Sequence, residues 1–244
     1  MKKNTPLSPE SIGISYLNIM TLLSLIFLQS CMVSGGAITK SDAKKMTPTL
    51  ALTRLEEGNK RFNGNQQKRY NFRDQRFYLS KNAPIPPAVI LASSDSRVAP
   101  ELIFNQGLGD VLCLRSPASI VTAEAIAGME YACQRGSKLI VLMAQTKDPF
   151  ITLALDNDQT GNQTAINYQL RPAIDNVKRD GNWKRWQREE LINNVLREHL
   201  TASVQNSIGR SPILRGMIER GEIFIVGAIY DIDTGKVNFL SNTE

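Results

Sequence analysis

Two short polar stretches stand directly after apolar runs in this chain, and their side chains are the ones that could do chemistry. The first is "SSDSR", residues 93–97, behind the run "AVILA" at 88–92. It supplies the hydroxyl of Ser93, the carboxylate of Asp95 and the guanidinium of Arg97. The second is "QTKD", residues 145–148, behind "KLIVLM" at 138–143, with the amide of Gln145 and the carboxylate of Asp148. As donors to a metal these are oxygen groups. A serine hydroxyl is nearly always protonated and ligates poorly, and a glutamine offers only a neutral carbonyl oxygen. Calcium or magnesium would need more oxygens than these. One metal-free chemistry is open to the set: Asp95 or Asp148 as general base on a water held by Ser93 and Gln145. A carboxylate with an ordinary pKa of about 4 is a weak base, and Arg97 would lower Asp95 further. The structural expectation is that Asp95 and Arg97 form an ion pair at the end of a strand, orienting the loop into a helix that begins at Pro100.

Softer donors are scarce. The only histidine is His199, and the cysteines are Cys31, Cys113 and Cys133. His199 follows Val195 and Leu196 in "REELINNVLREHLTASV", which reads as a helix with the histidine at its surface or rim, remote from the two stretches. Cys113 lies in the strand pattern "VLCLR" and Cys133 in the helix "GMEYACQRG". Both read as small buried hydrophobes, and a disulfide between them stays open because spacing says nothing of its geometry.

The elements that must position these groups follow from periodicity. Four short runs carry no polar alternation: 88–92, 111–114, 138–143 and "IFIVGA" at 223–228. Such runs fit strands buried on both faces. Helical patterns cover 49–63, interrupted at Gly58, then 99–106, 122–135 and 187–209. Strand–helix alternation implies a parallel sheet with helices on both sides. The closing "AIYDIDTGKVNFL" reads as a strand, a turn at 233–235 and a return strand. The expected fold class is therefore α/β: a mostly parallel sheet, four parallel strands plus a C-terminal antiparallel one, flanked by helices.

The order of motifs adds a resemblance. "SSDSRVAPELIFNQGLGDVLCLR" is similar to the β-class carbonic anhydrase pattern C-x-D-S-R-V, P-E, G-x-G-D and a strand ending in arginine. "EAIAGMEYACQRGSKLIVLMAQTKD" resembles that family's helix, strand and second metal segment. "EEGNKRF" and "IVGAIYDIDTGKVNFL" match it as well, so the resemblance covers roughly residues 50–240. It implies zinc held by two cysteines and a histidine, and an aspartate–arginine pair beside the metal. Laid onto this chain, the ligand positions fall on Ser93, Gln145 and Asp148, while Asp95 and Arg97 are retained. The glycine after the second cysteine becomes Pro149, and the family's R-N-A-G-N loop becomes "RSPAS", Arg115 to Ser119. Losing two thiolates and an imidazole removes most of the roughly 10–16 kcal/mol of apparent binding free energy typical of thiolate-rich zinc sites. Zinc is not expected, and Ser93, Asp95, Arg97, Gln145 and Asp148 read as a degenerate pocket.

The N-terminus is of another kind. Lys2 and Lys3 precede an apolar run, "YLNIMTLLSLIFL" at 16–28, too short for a transmembrane helix. It ends in "LQSC", which resembles the lipobox of bacterial lipoproteins and implies cleavage before Cys31 and acylation of it. The expected organisation is a signal peptide over 1–30, a lipid-anchored flexible tether over 31–48, and one α/β domain over 49–244. Met32 after the cysteine points to the outer membrane, at its periplasmic face. Without residues 1–30 the chain carries 27 basic against 22 acidic side chains, a modest excess. The densest basic cluster, "VKRDGNWKRWQREE", interleaves Trp183 and Trp186 with Lys178, Arg179, Lys184, Arg185 and Arg188. It reads as a solvated helix start with a docked tryptophan, and the compartment argues against nucleic acid.

The function expected first is a non-catalytic, zinc-less member of the family serving in a cell-envelope assembly such as an outer-membrane secretion complex. Its partners would be envelope proteins and, through Cys31, the membrane. Two alternatives stand beside it: a carbonate dehydratase using another metal or none, and a protein binding bicarbonate through Arg97 and Arg115. The resemblance also implies a homodimer in which residues 49–63 reach over a partner's sheet.

Overall fold

Each continuously apolar run forms a strand covered on both faces. In the computed structural model, which describes residues 34–179 and 181–240, the main sheet has five strands. They follow a small parallel pair, β1 (Ser34–Gly35) and β2 (Arg69–Tyr70). The main strands are β3 (Ala88–Ser93), β4 (Val111–Ser116), β5 (Leu139–Gln145), β6 (Phe224–Tyr230) and β7 (Val237–Phe239), in the order β4-β3-β5-β6-β7. The first four are parallel and β7 returns antiparallel to β6, as the sequence implies. Every residue of β3 and β5 is buried. The signal peptide expected over residues 1–30 and the acylation expected at Cys31 lie outside the described residues.

Nine helices are described: α1 (Lys40–Lys45), α2 (Pro48–Asn63), α3 (Phe72–Lys81), α4 (Pro100–Ile103), α5 (Ala123–Gln134), α6 (Pro149–Leu155), α7 (Gln163–Lys178), α8 (Arg188–Arg210) and α9 (Pro212–Glu219). None of them is long and apolar enough to cross a membrane. Proline opens α2, α4, α6 and α9, where its missing N–H costs nothing. Thr47, Thr122 and Ser211 cap α2, α5 and α9 through their hydroxyls.

Strand alternation divides the core in two. Val89, Leu91, Ile140 and Leu142 face Met129 of α5, Leu170 of α7 and Val195 and Leu196 of α8. Ile90, Val141 and Met143 face the other way, toward Leu55 of α2 and Ile103 and Phe104 around α4.

The structure departs from the sequence reading in several places. The helix expected over 99–106 closes at Ile103, and Asn105 already has a φ of 44°. Helices α3 and α7 lie in stretches that the periodicity left as loop; α7 even carries Pro172 inside it. Part of the expected tether is regular: α1 is closed by a capping box between Thr39 and Asp42, and β1 pairs with β2. Cys113 and Cys133 are free thiols, half-buried and buried. Burial pushes the Cys133 thiol up to about 12 and raises that of Cys113 as well.

The Gly58 interruption is absent: α2 runs through it unbroken. That glycine is a point of close approach. A Cβ there would sit 1.8 Å from the Phe104 carbonyl oxygen, so α2 lies directly on the end of α4. Asn59 secures the contact, donating to Ile103 O at 3.2 Å and to Gly235 O at 2.9 Å, while its side-chain oxygen accepts from the Val237 amide. Arg54 adds an ion pair to buried Asp110 at 2.7 Å. Within the single chain, then, α2 packs against the end of α4 and the sheet beside it. Gly58→Ala should lower the unfolding free energy by about 2–4 kcal/mol in urea titration, against less than about 0.5 kcal/mol for Lys60→Ala on the exposed side.

Candidate functional site

The polar stretches singled out in the sequence meet where β3 and β5 end. These neighbouring strands feed connections in opposite directions, β3 into β4 on one side and β5 toward β6 on the other. In open α/β sheets such a switch point, at the carboxyl ends of the strands, is where ligands bind. Ser93 is the last residue of β3 and Gln145 the last of β5, and neither is exposed.

Each side chain there is bonded to another. Ser93 Oγ donates to Asp148 Oδ2 at 3.2 Å and accepts from the Asp95 amide. Asp148 caps α6: its Oδ1 accepts from the Phe150 and Ile151 amides at 2.8 and 3.3 Å. Asp95 takes the Arg97 guanidinium through Nε and Nη2, the latter at 2.6 Å, and the Arg97 amide at 2.9 Å. Gln145 Nε2 donates to Asp95 Oδ2 at 2.8 Å. Arg115 reaches back from β4, giving Nε to Ser93 O and Nη2 to Asp95 O at 2.7 Å. Both guanidinium groups named as anion donors are therefore engaged, although Arg97 remains half exposed.

These bonds set the electrostatics. The forked Arg97 contact, with help from Gln145, holds the Asp95 carboxyl well below the usual range despite its burial. Burial acts the other way on Asp148 and raises it, partly offset by the two cap amides and Ser93. Two aspartates of one site are thus driven apart in proton affinity.

A family model described as carbonic anhydrase matches residues 88–237, which span both stretches and the four parallel strands of the main sheet. The chain belongs to the β-carbonic anhydrase family. It is 30% identical to carbonic anhydrase 2 of Mycobacterium tuberculosis over 196 residues, covering 78% of this chain and 91% of the relative. Identity is 27% over 201 residues to a carbonic anhydrase of Mycolicibacterium smegmatis, covering 80% and 94%. Among solved structures, the fold is similar to the β-carbonic anhydrase CafA of Aspergillus fumigatus, with a TM-score of 0.63 and 23% identity over 70% of this chain and 84% of that one. A β-carbonic anhydrase of Sordaria macrospora gives 0.60 at 21% identity, covering 68% and 90%.

The donors at the carbonic anhydrase ligand positions do not fit zinc. They are a hydroxyl, an amide and a carboxylate whose two oxygens already accept three hydrogen bonds. Gln145 Oε1 is buried with no partner among the described residues, and one neutral oxygen cannot hold a cation. What the arrangement does chemically is join β3, β5 and the start of α6 by hydrogen bonds.

Sequence reasoning missed two parts of this region. His199 is buried, not a surface or rim residue, and its Nε2 lies 3.1 Å from Ala118 O in the "RSPAS" loop. Burial lowers its pKa, so the neutral ring donates to that carbonyl. Ser119 Oγ holds the same loop to Met143 O at 2.7 Å, and Ala118 and Ser119 both have left-handed φ values, 50° and 55°. The signal was the spacing Ile192, Val195, Leu196, His199, Ser203, which puts the histidine on the buried stripe of α8. The second omission is Lys147, whose carbonyl accepts from Arg97 and whose Nζ pairs with Asp233.

Asp148 gives a pH test. Its folded pKa lies above the ordinary 3.8, so the folded state binds more protons and stability falls as pH rises through the raised value. Asparagine caps a helix as well as aspartate and carries no charge. Urea unfolding should show D148N gaining on the parent as pH rises above the ordinary carboxylate value of about 4; a difference independent of pH would refute the buried-carboxyl account.

Proposed function

We propose that this chain is a non-catalytic, zinc-free member of the β-carbonic anhydrase family. It serves as a structural and interaction component of a bacterial cell-envelope assembly, such as an outer-membrane secretion complex. One observation carries the reading. The side chains at the three ligand positions are buried; Ser93 bonds Asp148 and Gln145 bonds Asp95, leaving the neutral oxygen of Gln145 as the one acceptor without a partner among the described residues. A metal-bridged junction has become a hydrogen-bonded one, and a sheet buried on both faces needs nothing further to persist.

The same geometry weighs against the other two readings. Asp95 is too weak a base, and Asp148 is shut behind its own cap, so neither is placed to take a proton from water. An anion would have to compete with Asp95 for Arg97 and with two backbone carbonyls for Arg115. The envelope location rests on the "LQSC" motif: lipid on Cys31 would hold the domain at the periplasmic face of the outer membrane. The partners proposed are envelope proteins, with no role for nucleic acid.

The decisive measurement pairs metal analysis with stopped-flow carbon dioxide hydration. The purified protein should hold zinc far below one per chain and leave the hydration rate at the buffer value. The triple variant Ser93→Cys, Gln145→His, Asp148→Cys should bind zinc. Stoichiometric zinc in the parent, lost on substituting positions 93, 145 and 148, would overturn the proposal. Radiolabelled palmitate should enter the parent in cells and not Cys31→Ala.

A further inference from the structure

The chain's positive charge is not spread evenly. Residues 34–81 carry 11 lysines and arginines against four acidic residues, whereas residues 82–244 carry 16 against 18. All of the excess therefore belongs to the segment that follows the N-terminal motif, folded as β1, α1, α2, β2 and α3.

Within that segment α3 has an unusual outer face. Its inner side is held by buried Gln75, whose Oε1 accepts from the Leu108 amide at 3.0 Å. The outer side presents Arg73, Arg76, Phe77 and Lys81, with Phe72 at the helix start. The two rings are 55% and 64% exposed, more than apolar groups of their size gain from water. Lys81 Nζ lies 4.0 Å from the Phe77 ring centre, so cation and ring form one unit. Arg73 and Arg76 have no ion pair or hydrogen bond among the described residues. Leu108, in the loop whose amide Gln75 holds, is 42% exposed. Exposed rings interleaved with cations on one helix face suit a negatively charged surface with an apolar boundary beneath it.

The path of the chain says which surface. β1 pairs with β2, Ser34 against Arg69, and β2 leads directly into α3. Ala37 and Thr39 line one cavity of about 210 Å³ with Asn71, Asp74, Gln75 and Tyr78 of α3. Cys31 is three residues before Ser34, so it lies within about 11 Å of that strand pair whatever its conformation. Lipid on Cys31 would therefore bring a bilayer close to α3.

We infer that the outer face of α3, Phe72, Arg73, Arg76, Phe77 and Lys81, docks on anionic lipid headgroups and orients the domain against the membrane. The inference rests on the anchored reading for its setting, but the patch should bind without an acyl chain. The test uses the chain from Met32 onward, which keeps the whole described fold and lacks both the acylation site and the apolar run. It is sedimented with vesicles of equimolar phosphatidylglycerol and phosphatidylcholine, and with phosphatidylcholine alone.

Binding is expected to the anionic vesicles only, and to disappear in about 0.5 M salt. The double reversal Arg73→Glu, Arg76→Glu should weaken it at least about tenfold, and Phe72→Ser, Phe77→Ser should weaken it too, each at unchanged thermal stability. Reversal of the other basic cluster, Lys184→Glu with Arg185→Glu, should leave it unchanged. No binding to anionic vesicles would overturn the inference and turn the patch over to an acidic protein. Binding indifferent to the α3 variants, or abolished at Lys184 and Arg185, would overturn it equally. Absent vesicle binding beside intact palmitate labelling would discard the surface and keep the anchor; the opposite pair of results would discard the anchor alone.

Discussion

The carboxylate of Asp95 is the hub on which the switch-point region depends. It receives the guanidinium and the backbone amide of Arg97, and the amide group of Gln145 arrives from the next strand. Charge-assisted bonds of this kind are about twice as strong as neutral ones, and in a buried setting they reinforce one another. Arg115 completes the frame from the opposite side by holding the carbonyls of Ser93 and Asp95. The loop between β3 and α4 is thereby pinned to β4 and β5 together. A region that relatives named carbonic anhydrase also possess is rigid here through hydrogen bonding between side chains of the chain itself.

Replacing a ligand set in this way imposes a constraint of its own. Buried polar groups must find partners, and a network with one member missing is worse than an apolar core. Ser93, Asp95 and Asp148 meet that requirement, whereas Gln145 meets half of it, with its oxygen left over. An amide is the right length to reach Asp95, but its second atom has nowhere to go. The substitutions therefore read as a coupled set. Changing one alone leaves a donor or acceptor stranded behind the sheet.

Much of the architecture was legible because burial on both faces leaves an unambiguous mark. "AVILA" and the "LIVLM" that follows Lys138 have no polar residue to offer water, and they became neighbouring inner strands of the sheet. The site positions were legible through the motif order around Asp95 and Arg97, which carried Ser93, Gln145 and Asp148 with it. Helix α3 was not, because only Gln75, Tyr78 and Leu79 turn inward and its outer face carries rings and cations that mimic no period. Helix α7 was hidden by Pro172, which ordinarily ends a helix. His199 was misplaced by judging residue type over position: the stripe it sits on is apolar, and its one hydrogen bond to Ala118 makes burial affordable. Gly58 was read as a break when it is a contact.

The two free cysteines carry a consequence for where such a domain can work. A thiol reacts through its thiolate, and burial keeps both sulfurs protonated far above neutral pH. Disulfide exchange needs that anion, so neither cysteine is a ready partner for oxidants or for other chains. Once folded, the domain therefore offers neither of these thiols readily to the redox poise of its surroundings.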